Sequence, residues 1–238
     1  MQLSKLEARA YETLRKNNLV IFKTKDLMLL LSIDKVKAYN LIKALKRKNA
    51  IIPLKNGTYM LYGVNELAAG TYLNWPSYLS FWSALSYYGF SDQVPKTIFY
   101  ATTRYKKKTG NYKYVSLSRK KFFGYLRIGE ITIADKEKAL IDSLLFPKYS
   151  GGIKEIEASI KKALPEVDTK KLIGYAVKTG SKAALRRLGY ILESLGYKQT
   201  GSMRKNIGKG YELLDPSLEK KNNLNKKWLL DINDDIPR

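Results

Sequence analysis

Between Thr24 and Leu61 the spacing of apolar positions changes several times, and each change predicts an element. Leu27, Leu30 and Leu31 recur at helical spacing behind Thr24, a residue suited to N-capping. Ser32-Ile33-Asp34 interrupts that run, and the Asp34 carboxylate can cap a second helix. The second helix, about residues 35–48, places Ala38, Leu41, Ile42 and Leu45 on one side, as a 3.6-residue period requires. Val36, Asn40, Lys43 and Arg47 fall on the opposite side, flanked by Lys37 and Tyr39. Asn49 suits a left-handed helix end. Two β-rich runs, 50–54 and 58–61, then frame Lys55-Asn56-Gly57, and Asn-Gly in that setting predicts a type I′ hairpin.

Helix, tight turn, helix and hairpin predict a winged helix-turn-helix, the second helix being of a shape to enter a major groove. The residues this assigns to DNA are Thr24, Lys35, Val36, Lys37, Tyr39, Asn40, Lys43 and Arg47, with Lys55 and Asn56 of the wing reaching the backbone. A small helical domain whose basic face is merely solvated is the competing reading. The polar face pairs Asn with Lys and Arg rather than mixing Glu with Lys, which favours DNA.

Leu3, Leu6, Ala10 and Leu14 predict a further helix over residues 1–18 that packs behind these elements. Gly63, Gly70 and Asn74-Trp75-Pro76 surround a short helical patch at 65–69, dividing the chain into domains 1–63 and 64–238. Beyond the division the pattern predicts a helix over 77–88, closed by Gly89. Strands at 97–103, 114–117, 122–128 and 131–134 follow. Asp135 caps a helix over 136–146 that Pro147 stops, and three helices at 153–164, 169–179 and 182–195 are punctuated by Pro165, Asp168, Gly180-Ser181 and Gly196. Segments 211–214 and 227–232 read as a closing hairpin. The fold class is α+β, an N-terminal winged helix-turn-helix followed by a mixed α/β C-terminal domain.

Charge sharpens this picture. The 238 residues hold 44 Lys/Arg against 21 Asp/Glu, a formal +23. Residues 1–63 have 13 basic and 4 acidic side chains, so both parts of the chain are basic rather than one tail. Such a balance suits a polyanion, nucleic acid ahead of a membrane surface. No apolar run approaches the roughly 20 residues a spanning helix needs, and the amphipathic, acid-containing N-terminus is not a signal peptide; a cytoplasmic location is expected. Cysteine and histidine are absent, which excludes disulfides, Cys/His zinc sites and a histidine general base. No cofactor or metal is expected.

Residues 104–121 concentrate eight cations without an acid: Arg104, Lys106, Lys107, Lys108, Lys113, Arg119, Lys120 and Lys121, interleaved with Tyr105, Tyr112 and Tyr114. They can grip a phosphate backbone or stack on bases; equally, they can keep a long β-hairpin soluble. Asp135, Lys136, Glu137, Lys138 and Asp142 are the one acidic cluster that suggests a nuclease. An N-cap for Asp135, a first-turn position for Glu137 and an i,i+4 pair for Lys138 and Asp142 account for those charges without catalysis. Gly196, Gly201, Gly208 and Gly210 match no nucleotide-binding fingerprint.

Four stretches in this order carry a resemblance: the N-terminal winged helix; Tyr78 to Gly89 with Val94-Pro95 and the strand at 97–103; Ile133 to Asp142; and 211–216 with Lys227-Trp228. Across nearly its whole length the chain resembles the AbiEi family of antitoxins from type IV toxin–antitoxin (abortive infection) systems. The resemblance implies an N-terminal domain that represses its own operon. It also implies a C-terminal domain that counteracts a nucleotidyltransferase-type toxin, through residues that form no short motif to carry over. This chain is more basic than the family pattern, which brings the second domain within the DNA-contacting candidates.

The expected function is therefore a DNA-binding transcriptional regulator, not an enzyme, with promoter or operator duplex and a nucleotidyltransferase-like toxin as partners. The alternatives are a degenerate nuclease and a charge-driven RNA-binding or architectural protein.

Overall fold

The computed structural model describes residues 2–17, 19–55, 57–105, 107–197 and 201–234. The chain begins with α1 (Lys5–Lys16), whose Ser4 and Glu7 cap each other: the Ser4 N–H donates to Glu7 Oε2 at 2.6 Å and the Glu7 N–H to Ser4 Oγ at 3.4 Å. A short strand follows, β1 (Ile21–Lys23), then α2 (Thr24–Leu31), α3 (Lys35–Arg47), β2 (Ile51–Lys55) and β3 (Thr58–Leu61). The three strands form an antiparallel sheet in the order β1-β3-β2. Ser32, at φ 53°, ends α2 and Asn49, at φ 52°, turns the chain out of α3. Ala10, Leu14, Leu27, Leu41 and Leu45 are among the apolar side chains that bury together between the helices and this sheet, each Leu contributing about 1.5–3 kcal/mol.

The pattern at 21–23 is too short to carry a period, so β1 is not predicted from it. This strand corrects the position of Thr24, which is the first residue of α2 rather than its cap. Pairing with β3 extends the chain through Lys23, and the Asp26 carboxylate reaches back to the Lys23 N–H at 2.6 Å.

The remainder opens with α4 (Glu66–Leu73), β4 (Ser77–Leu79), α5 (Phe81–Tyr87), β5 (Ile98–Thr102), β6 (Lys107–Thr109) and β7 (Tyr112–Ser116). A 3-10 turn (Arg119–Lys121), β8 (Tyr125–Ile128), β9 (Ile131–Ala134) and α6 (Lys136–Leu145) come next. After a 3-10 turn at Pro147–Tyr149 run α7 (Ile153–Ala163), α8 (Thr169–Lys178), α9 (Lys182–Ser194), α10 (Gly201–Arg204), β10 (Glu212–Leu213), β11 (Leu224–Asn225) and β12 (Leu230–Asp231). A mixed six-stranded sheet runs β6-β7-β5-β4-β9-β8. A second cluster of buried side chains packs between it and the helices, and it includes Met60 of β3. Val64 packs against both clusters.

Residues 77–79 correct the helix expected over 77–88. Tyr78 and Leu79 are fully buried in β4, which pairs with β5 on one side and β9 on the other. A central strand is apolar on both faces, so its sequence does not alternate and reads like a buried helical turn. The closing segments are likewise not a hairpin: β10 pairs with β12 in parallel, and β11 takes the antiparallel place. The architecture is α+β. Among the described residues no helix is long and apolar enough to cross a membrane.

Candidate nucleic-acid interface

The start of α3 is set by Asp34, which accepts from the Lys37 N–H at 2.8 Å. That bond, with the Lys37 charge nearby, holds the Asp34 carboxyl below its ordinary range. The Lys37 ammonium lies 3.7 Å from Asp34 in an exposed pair. Lys48 at the other end is tied to Glu7 of α1 at 2.6 Å, so this cation serves packing.

Between the first turns of α2 and α3 and the β2–β3 turn lies a groove of about 580 Å³, lined by Lys23, Thr24, Lys25, Met28, Lys35, Tyr39, Gly57 and Thr58. Among the described residues three lysines and no acid line it. The Lys35 ammonium sits 6.0 Å from the Tyr39 ring centroid. Of the sequence-predicted residues, Thr24, Lys35 and Tyr39 meet here. Val36, Asn40, Lys43 and Arg47 are exposed along α3, opposite the buried Ala38, Leu41, Ile42 and Leu45. Val36 is 70 % exposed and so is not a core position. Lys55 pairs with Thr58 across the turn. Asn56 and Lys106, and the side chains of Lys55 and Lys107, lie outside the described residues.

Sequence reasoning missed Lys23, Lys25, Met28, Gly57 and Thr58. The two lysines flank Thr24, and that adjacency is the one signal available for them. Nothing local marks Met28, whose place depends on where β3 lands.

The cationic segment 104–121 does not form one projecting hairpin. β7 is an inner strand, parallel to β5, and β6 is the sheet edge beside it. Tyr112 and Tyr114 are buried, and the Tyr114 hydroxyl donates to the Gly70 carbonyl at 2.6 Å, so neither is free to stack on a base. Tyr105 is 92 % exposed. Lys108 stands opposite Lys113, whose ammonium lies 4.8 Å from the Tyr149 ring centroid. Arg104 is exposed at the start of the segment. Arg119, Lys120 and Lys121 sit in the connection that carries the chain to β8 at the far edge, and Lys120 lies alongside Gly180. The β6–β7 turn, Gly110-Asn111, shares a cleft with Ile52, Pro53 and Leu54 of β2. That cleft is lined by Gly110, Asn111 and Tyr112 of the segment, and by none of its cations among the described residues.

The acidic cluster is engaged internally. Asp135 accepts from the Lys138 N–H at 2.8 Å and from the Tyr175 hydroxyl at 3.0 Å. Glu137 accepts from Lys171 at 2.7 Å and from the Asp168 N–H at 3.0 Å. Asp142 is fully buried and pairs with Lys138.

Comparison with protein-family models and with curated proteins finds no match. Among solved structures the chain is similar to the crystal structure of RV2827C protein from Mycobacterium tuberculosis. The TM-score is 0.68 at 14 % identity, over 96 % of this chain and 92 % of that one. At that identity the likeness is one of fold.

Proposed function

We propose that the chain is a DNA-binding transcriptional regulator whose residues 1–63 act as a winged helix-turn-helix. The observation that carries this is the acid-free groove between α3 and the β2–β3 turn, continuous with an exposed helix face bearing Asn40, Lys43 and Arg47. A B-DNA major groove about 12 Å wide admits one helix. With α3 in it, Asn40 is placed for bidentate contact with adenine, and Lys43 and Arg47 for phosphate or guanine. Thr24, Lys35 and the β2–β3 turn then face the flanking backbone.

The antitoxin part of the reading rests on the resemblance to the AbiEi family, in which the second domain opposes a nucleotidyltransferase-type toxin. Co-expression with the product of an adjoining nucleotidyltransferase-like gene tests it: restored growth supports the role, and unrelieved arrest removes it.

The DNA reading is tested by selecting bound duplexes from a random pool at physiological salt. A converged sequence is expected, and Asn40→Ala should weaken binding to it by about 1–3 kcal/mol while leaving random duplex nearly unaffected. A pool that fails to converge, with every duplex bound alike, would favour a charge-driven architectural protein instead.

A further inference from the structure

The two edges of the six-stranded sheet are built differently. β6 carries Lys107 and Lys108, and charge on an edge strand deters pairing with another chain. β8 reads Tyr125-Leu126-Arg127-Ile128, and all four residues are exposed, Tyr125 at 43 %, Leu126 at 42 % and Ile128 at 38 %.

Its backbone is open on one side. β8 meets β9 through Leu126 opposite Ile133 and Ile128 opposite Ile131, and the Asp135 N–H donates to the Gly124 carbonyl at 2.9 Å. Bonded and non-bonded positions alternate in an antiparallel pair. Gly124, Leu126 and Ile128 therefore face β9, while Tyr125 and Arg127 turn their N–H and C=O groups outward. Among the described residues no strand lies on that side. The strand is also held in shape, the Tyr125 ring lying 4.9 Å from Tyr78 and 5.2 Å from Phe122.

We propose that β8 is a docking edge for an extended acidic segment of a protein partner, which adds to the sheet as a further strand. Outward N–H and C=O groups supply the main-chain bonds of such an addition, and alternate side-chain positions supply specificity. On one face the incoming side chains meet Leu126 and Ile128 and are apolar. On the other they meet Arg127 and are acidic. The flanking sequence fits that charge: residues 119–134 contain Arg119, Lys120, Lys121 and Arg127 against the single acid Glu130, and Lys178 stands over Phe123, two residues before β8, at 4.2 Å. A second copy of this chain would set the same cations against each other. A nucleic-acid backbone would leave the outward carbonyls without donors. The proposal is independent of the DNA reading above.

The test uses the full chain and two fluorescein-labelled peptides, one alternating Glu and Val and one alternating Lys and Val. Arg127→Glu keeps the outward donor and reverses the charge. Arg127→Pro removes an N–H that the β9 ladder does not use, which an edge strand tolerates. Wild type is expected to bind the Glu–Val peptide saturably. Arg127→Glu should weaken it by at least about tenfold and prefer the Lys–Val peptide instead, and Arg127→Pro should lose both. If the proline variant does not fold, the charge reversal still decides. The proposal is overturned if wild type shows no saturable binding, or if the two variants bind as wild type does. It is equally overturned by a concentration-dependent dimer that Arg127→Glu abolishes, or by a fall in DNA affinity of that variant in place of the peptide effect.

Discussion

Lys138 and Asp142, one turn apart on α6, form an ion pair with no solvent exposure on either side chain. The Tyr78 and Ser80 hydroxyls donate to Asp142 Oδ2 at 3.0 and 2.8 Å, and the Lys138 ammonium donates to the Tyr78 oxygen at 3.0 Å. Burial, together with the Asp142 carboxylate, pushes the Tyr78 phenol well up, so it remains a neutral donor. The cluster joins β4 to α6. Removing one charge strands the other: Lys138→Met alone should cost about 3–5 kcal/mol in denaturant unfolding. The double change Lys138→Met with Asp142→Leu should cost less than either single one. A double variant as unstable as the sum of both would mean the pair is not coupled.

Gly189 on α9 lies under Trp228, and a methyl group there would come within 2.1 Å of the indole ring. Trp228 is fully buried, with its N–H donating to Glu193 Oε2 at 2.6 Å. Gly189→Ala should destabilise the fold by about 1–3 kcal/mol despite the better helix propensity of alanine. The tryptophan emission should shift to the red. A stabilised variant with unchanged emission would contradict this packing.

Burial, with the Asp135 carboxylate nearby, pushes the Tyr88 phenol up to about 12 from an ordinary 10. The folded state holds that proton more tightly than the unfolded chain does. Its contribution is therefore complete below pH 10 and is lost as pH rises toward 12. Tyr88→Phe also removes the hydroxyl's 2.8 Å bond to the Ala134 carbonyl, at a cost of about 1 kcal/mol near neutrality. The gap between wild type and variant should narrow across that alkaline window. Parallel stability curves through it would remove Tyr88 from the linkage.

The cations of α3 and its C-cap, Lys48, separate by role. Changing Lys35, Lys43 and Arg47 to Gln should flatten the log-affinity against log-salt slope by about 0.9 for every phosphate that is no longer neutralised. Lys48→Gln should leave that slope alone and lower the melting temperature instead, because Lys48 is committed to Glu7. Equal slopes for the triple variant and wild type would take α3 out of the interface.

What the chain's order of residues determined by itself is local. Asp34, Asp135 and Asp168 cap helices within three residues of themselves, at 2.8 Å in each case. The buried stripe of α3 follows from a period that four side chains carry. Hydrogen bonds and periods of this kind close within a few residues, so they are written where they act. Tertiary structure decided the rest: that Tyr78-Leu79 pairs as a central strand, and that β7 slots in parallel to β5 and buries Tyr112 and Tyr114. It also separated Lys108 from Arg119–Lys121 and left β8 as an open edge. Each of these depends on which strand arrives alongside and which face is then covered. That partner is distant in sequence, and an apolar run looks the same from within whether a sheet or a helix buries it.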